Sequence, residues 1–185
     1  ITDEAIKWMD GRNKQQPFLL HIHHKAPHRY FLAPLKYIQQ FYSKTFPEPA
    51  TLYLDTAGHG TAWHLQTMSI LHDMKLCSDL KVDPKYLMDN PALKPDSVDV
   101  VYYNAIFNRI PEPERSSIKK IYEERGKLLQ QLKPKGKELL KYKYQWYMQD
   151  YLACVASIDE NVGRVLDYLD KNNLTKKSTN SLEKC

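Results

Sequence analysis

The chain has little cysteine and no long apolar run. Cys77, Cys154 and Cys185 are far apart and form no CxxC pair, so neither a zinc ribbon nor a disulfide framework is indicated, and the redox compartment stays open. No run of about 18 apolar residues occurs, so no membrane span is expected. The opening ITDEAIKWMD has no charged leader followed by an apolar stretch, and is not a signal peptide. It also starts on Ile and runs directly into a helical pattern, from which upstream sequence is expected. Internal repeats and low-complexity tracts are absent. Nor is there a basic arm: the net charge of +5 is spread along the chain, which supports non-specific attraction to acidic partners and nothing sharper.

What is present reads as a folded protein. Hydrophobic residues make up 42% and charged residues 26%, too apolar for a disordered chain. Its 185 residues suffice for one sizeable core or a large piece of a bigger domain. Thr2 or Asp3 can cap a short helix with Ala5, Ile6 and Met9 on its apolar face, ended by Gly11. Phe18, Leu20 and Ile22 then alternate with Leu19, His21 and His23, which predicts a strand over PFLLHIHH. Tyr37, Ile38, Phe41 and Tyr42 suggest one helical face, and Ile118, Ile121 and Tyr122 another after Pro111 and Pro113. From Lys137 to about Asn172, Leu140, Tyr144, Tyr147, Tyr151, Val155, Ile158, Val162, Val165 and Leu169 recur at steps of three or four, the pattern of an amphipathic helix. A helix of this kind covers a sheet and leads into a buried strand. NNLTKKSTNSLEKC supplies no such strand.

The densest chemistry is HIHHKAPHRY, residues 21–30, with four histidines, a lysine and an arginine. Four readings compete. His21 and His23 share a strand face and could meet one metal ion, but no Cys, Asp or Glu stands nearby to complete the shell. The strand histidines could equally be half-buried groups bonded to backbone or water. A nucleic-acid patch has Tyr30 and Phe31 in its favour and no known motif behind it. Lastly, Lys25, His28 and Arg29 lie on one turn held by Pro27, beyond a strand's carboxyl end, and can aim donors at a tetrahedral anion. Elsewhere, Asp79 and Asp83 read as turn and cap residues, Asp159 and Glu160 as a polar helix face. HGTAWH reads as a surface loop or a substrate loop.

At these residues the chain resembles the sulfatases of the alkaline phosphatase superfamily. The likeness is carried by PFLLHIHHKAPHRYFLAPLKYIQQFY, FPEPATLYLD, MSILHDMKLCSDLKVDP and, most specifically, KYKYQWYMQDYLACVASIDENVGRVLDYLDKNNL. It implies an α/β fold: a partial alkaline phosphatase-like domain over residues 1–175, a three-layer sandwich with an incomplete sheet, and a polar tail over 176–185. It implies hydrolysis of a sulfate ester on a small molecule or glycan, with no nucleic acid as partner, in a secreted, periplasmic or lysosomal setting. Within the family a formylglycine made from C/S-x-P-x-R attacks sulfur while Ca2+ steadies the sulfate oxygens. His28 matches the family histidine that contacts the sulfate; Lys25 and Arg29 are its candidate partners in substrate binding.

The departures bear on activity. No Cys or Ser stands two residues before a Pro-x-Arg, and the one near match, KAPHR, puts Lys25 where the nucleophile should be. The Asp pair for calcium and the later SD-x-G aspartate are likewise not found, so no metal ligand is assigned. The chain is therefore expected to be an internal fragment of a sulfatase domain, inactive alone. A phosphoester hydrolase of the same superfamily and a non-catalytic binder of sulfated glycans remain open, as does the oligomeric state.

Overall fold

The computed structural model describes residues 1–53 and 58–177; most of the tail expected over 176–185 lies outside them. Seven α-helices occur among the described residues: α1 (Thr2–Gly11), α2 (Leu35–Phe41), α3 (Thr61–Leu65), α4 (Ile70–Asp73), α5 (Ser97–Phe107), α6 (Glu114–Leu132) and α7 (Gly136–Lys171). The 36-residue α7 is the spine, and α1, α2 and α4 all pack on it. α6 packs on α2 and on a 3₁₀ turn at Pro84–Tyr86. There Gly126 has no side chain because a Cβ would lie 2.2 Å from the Tyr86 ring.

The spine forms where its sequence period predicts, but its buried stripe is shifted by about one position. Leu139, Lys143, Tyr144, Trp146, Asp150, Ala153 and Cys154 are the buried residues of its first half, a face at the three-to-four spacing of a helix. Tyr147 and Tyr151 are half-buried, and Val155 is exposed. Two charged side chains therefore lie on the most enclosed face, which a count of apolar residues cannot find. α1 also departs in one detail: Ile1 occupies the cap position, no side chain caps the helix, and Thr2 is buried.

The expected strand over 17–24 is not formed as a paired strand in this structure. No strand occurs among the described residues, and this segment lies outside helix and strand alike. The physical reason is that a strand is defined by the neighbour that takes its N–H and C=O groups; no described backbone group bonds to residues 17–24. Its two-residue period is nevertheless real. Phe18, Leu20, Ile22 and His24 are half-buried, and Leu19, His21 and His23 are exposed.

At the centre lies a buried loop. Every residue from Leu76 to Val82 is buried, including Ser78, Asp79 and Lys81. Backbone polar groups so placed must find partners inside the protein. Three bonds close within the loop itself, from the Leu80, Lys81 and Val82 N–H groups to the Lys75, Cys77 and Leu76 carbonyls. Side chains supply further partners. Asp99 of α5 accepts from the Cys77 and Ser78 N–H groups at 3.1 and 2.7 Å. Arg125 of α6 donates to the Leu80 carbonyl at 2.8 Å, and Lys143 of α7 donates to the Leu71 and Met74 carbonyls, just before the loop, at 2.6 and 2.7 Å.

Arg125 is held in turn by Asp150 of α7 through both terminal nitrogens, at 2.8 and 2.9 Å, and Tyr122 donates to the same carboxylate at 3.0 Å. The Arg125 side chain is 1% exposed and that of Asp150 4%. Removing one partner of such a pair strands the other charge. The Asp150→Ala variant is expected to lose about 3–5 kcal/mol of stability, measured by urea unfolding.

Titration of the core gives a second expectation. Burial lowers the Lys81 and Lys143 ammonium groups to about 8, so the cost of enclosing their charge fades as pH rises from about 8 toward their ordinary 10.5. Burial raises the Cys154 thiol to about 11 and the Tyr42 hydroxyl to about 12, with Tyr103 and Tyr122 also pushed up. Their stabilising contributions are complete below their unfolded values and are lost as pH climbs toward the folded ones. Urea midpoints should therefore hold or rise between about pH 8 and 9 and fall above about pH 10. A fall already complete by pH 9 would contradict this balance.

Candidate functional site

The histidine-rich segment ends in a tight turn in which the His28 N–H donates to the Lys25 carbonyl at 2.9 Å. Lys25, Pro27, His28 and Arg29 are exposed, while Ala26 is half-buried and packs against the core. The turn therefore brings Lys25 and His28 to one exposed end of the extended segment, between it and α2. Lys25 makes no ion pair among the described residues.

The His28 ring is oriented by a backbone group. Nδ1 lies 2.5 Å from the Arg29 carbonyl oxygen. A carbonyl can only accept, so Nδ1 carries a proton and donates. In the neutral ring Nε2 is then the bare nitrogen, and it donates to an anion only when the ring holds both protons.

Arg29 has a different set of partners. Its Nε donates to Asp79 Oδ1 at 2.5 Å, its terminal nitrogen to Oδ2, and the same nitrogen to the Asp73 carbonyl at 2.8 Å. This is the two-point fork that suits guanidinium to carboxylate. The Asp79 side chain is fully buried and the Arg29 side chain 45% exposed, and the carboxylate holds the Arg29 charge above its ordinary range. Arg29 is thus on the turn with His28, but its positive charge is already paired.

The other histidines separate from this group. His24 lies within 3.4 Å of the Thr2 hydroxyl on α1, and burial lowers its pKa. His21 and His23 have ring centroids 5.8 Å apart on the outer face. No group of three or more metal-ligating side chains occurs among the described residues. In HGTAWH, His59 stacks on Trp63 at 4.6 Å, and both are exposed.

The buried carboxylates do not fit a calcium ion either. Asp79 is taken up by Arg29 and the Lys75 N–H, at 2.7 Å for the latter, and Asp99 by two loop N–H groups. A hard cation needs six or more oxygens gathered in one place. Cys77 and Cys154 are buried with raised pKa values, the opposite of an activated thiol.

Sequence reasoning passed over Asp79 as a turn residue. Its signal lay in position: one acid inside the apolar run LCSDLKV, with an arginine fifty residues upstream. Nothing local in the sequence joins the two.

A helix-clad loop that presents a Lys-x-x-His turn has a clear family setting. The Sulfatase family model matches residues 1–179, and the chain belongs to that family. It is 37% identical over 171 residues to an N-acetylglucosamine-6-O-sulfatase of Bacteroides thetaiotaomicron, a match covering 92% of this chain and 29% of that protein. It also superposes on the structure of BT4656 in complex with its substrate D-glucosamine-2-N,6-O-disulfate, with a TM-score of 0.78 and 36% identity over 92% of this chain and 33% of that one. The chain thus spans about a third of the length of these relatives.

The geometry of the turn predicts how its residues respond to substitution. His28→Ala and Lys25→Ala remove exposed side chains and should each change stability by less than about 0.5 kcal/mol. Arg29→Ala leaves Asp79 buried without its partner and should cost several times more. Urea unfolding of the three variants checks this order.

Proposed function

We propose that this chain belongs to a sulfuric ester hydrolase acting on a sulfated amino sugar, and that the Lys25–Arg29 turn meets the sulfate. The observation that carries the reading is the His28 ring, exposed and with its Nδ1–H committed to backbone. A ring so held presents Nε2 outward from the bond it already makes. With both protons on the ring, Nε2–H donates to a sulfate oxygen or stands beside the leaving oxygen, where a held proton favours departure of the sugar alkoxide. Lys25, three residues before His28, adds an exposed ammonium suited to a sulfate as a mobile point charge. Arg29, its charge matched by Asp79, serves the site by holding the turn.

Family members attack sulfur with a formylglycine and steady the sulfate with calcium. The described residues of this chain fit neither group, so no step is assigned to them here. The substrate class follows from the relatives named above, whose sugars carry 6-O-sulfate. The two-residue alternation of exposure along 18–24 supports reading that segment as one strand of a three-layer α/β sandwich whose sheet is incomplete in this chain. The expected setting is secreted, periplasmic or lysosomal, as is usual for the family. No described helix is long and apolar enough to cross a membrane.

The test is a titration of the isotopically labelled chain with D-glucosamine 6-sulfate, D-glucosamine 6-phosphate and unsulfated D-glucosamine, followed by NMR. The His28 ring and Lys25 side-chain signals should move with the sulfate ester and not with the unsulfated sugar. His28→Ala should weaken binding about tenfold, the effect of losing a charged hydrogen bond. Equal responses to all three sugars, or unchanged affinity in His28→Ala, would remove the reading. A stronger response to the phosphate would favour a phosphoester hydrolase.

A further inference from the structure

We infer that Asp79 is a positioning residue for His28, acting through Arg29. The inference rests on the reading of His28 as the sulfate-contacting residue, but its geometry stands on separate observations.

Asp79 is anchored deep in the central loop. Its carboxylate accepts the Lys75 N–H at 2.7 Å, and its own carbonyl accepts from the buried Lys81 ammonium at 2.5 Å. From this anchor the carboxylate accepts from Nε and one terminal nitrogen along one edge of the Arg29 guanidinium, and the Asp73 carbonyl takes a third bond at 2.8 Å. Three bonds from one planar group, two to the buried loop and one to the end of α4, leave the Arg29 side chain little freedom. Its backbone carbonyl is the atom that accepts the His28 Nδ1–H. The chain of contacts therefore runs from the buried loop to the carboxylate, the guanidinium, the Arg29 backbone and the imidazole. Its output is a tautomer: the proton sits on Nδ1 and leaves Nε2 for the ligand. A free histidine side chain prefers the reverse arrangement, so the tautomer reads the positioning directly. The logic is that of an outer partner which fixes ring orientation without touching the ligand.

The experiment is long-range proton–nitrogen NMR on the full chain with labelled histidine, at a pH where the His28 ring is neutral. The intact chain should show Nδ1 as the protonated nitrogen in the majority form. Asp79→Asn keeps the shape but weakens the fork, and should shift the majority toward Nε2–H. Arg29→Lys keeps the charge but not the fork, should do the same, and serves if Asp79→Asn fails to fold; near-ultraviolet circular dichroism reports folding of each. Arg29→Lys with Asp79→Glu, which restores a reachable pair, should recover part of the Nδ1–H population. A majority of Nε2–H in the intact chain would overturn the inference, as would an unchanged Nδ1–H majority in a folded variant. Failure of the sulfate titration with the tautomer pattern intact would instead remove the role of His28 and leave the positioning in place.

Discussion

A loop that ought to be solvated is buried, and the structure is arranged around satisfying it. From Leu76 to Val82 the chain runs through the interior without helix or strand. Each unpartnered N–H or C=O there would cost on the order of 1–3 kcal/mol. Asp99 and Arg125, from two different helices, are placed to prevent this, and Lys143 of a third ties down the carbonyls just before the loop. These ties also decide which faces of α5, α6 and α7 turn inward, since a charged side chain that must reach the loop cannot lie on the solvent side. Apolar packing by Leu80, Val82, Leu87, Phe107, Ile118 and Leu129 then fills the space between them.

The same loop reaches out to the Lys25–Arg29 turn. Asp79 is its one carboxylate, and Arg29 spans from it to the exposed end of the histidine-rich segment. The core and the proposed site are therefore joined at one ion pair that is buried at one end and half-exposed at the other. A pair of this kind contributes less to stability than its geometry suggests, because desolvation opposes the attraction. What it adds is register: a fixed carbonyl for His28, with Lys25 beside it making no ion pair among the described residues.

Much of this was legible in the sequence, and the parts that were not share a cause. The ends of α7 follow from its period, and α1, α2 and the start of α6 from short apolar faces and prolines. The alternation along Phe18–His23 was legible as a pattern of exposure, but strand pairing depends on a neighbour that a local pattern does not contain. α5 was missed because Val98, Val100, Val101, Tyr102, Tyr103, Ile106 and Phe107 surround the helix with apolar residues and leave no clear period. Its start signal was present in Asp96, which caps it by accepting from the Asp99 N–H at 2.7 Å. The shift of the α7 stripe has a deeper reason. Lys143 and Asp150 are buried because of what they bond to, and hydropathy ranks them as surface residues. His28 and Lys25 stood out because their turn is compositionally unusual and resembles a known family; Asp79 did not, since its partner is fifty residues away.

The central claim is that the 76–82 loop belongs to the cooperative core despite its lack of regular structure. Native-state hydrogen exchange of its backbone amides tests this most directly. The account predicts that the amides of Cys77, Ser78, Leu80, Lys81 and Val82 exchange as slowly as those in the middle of α7, with the free energy of global unfolding. Exchange of these amides at the rate of an exposed loop, while α7 stays protected, would contradict it.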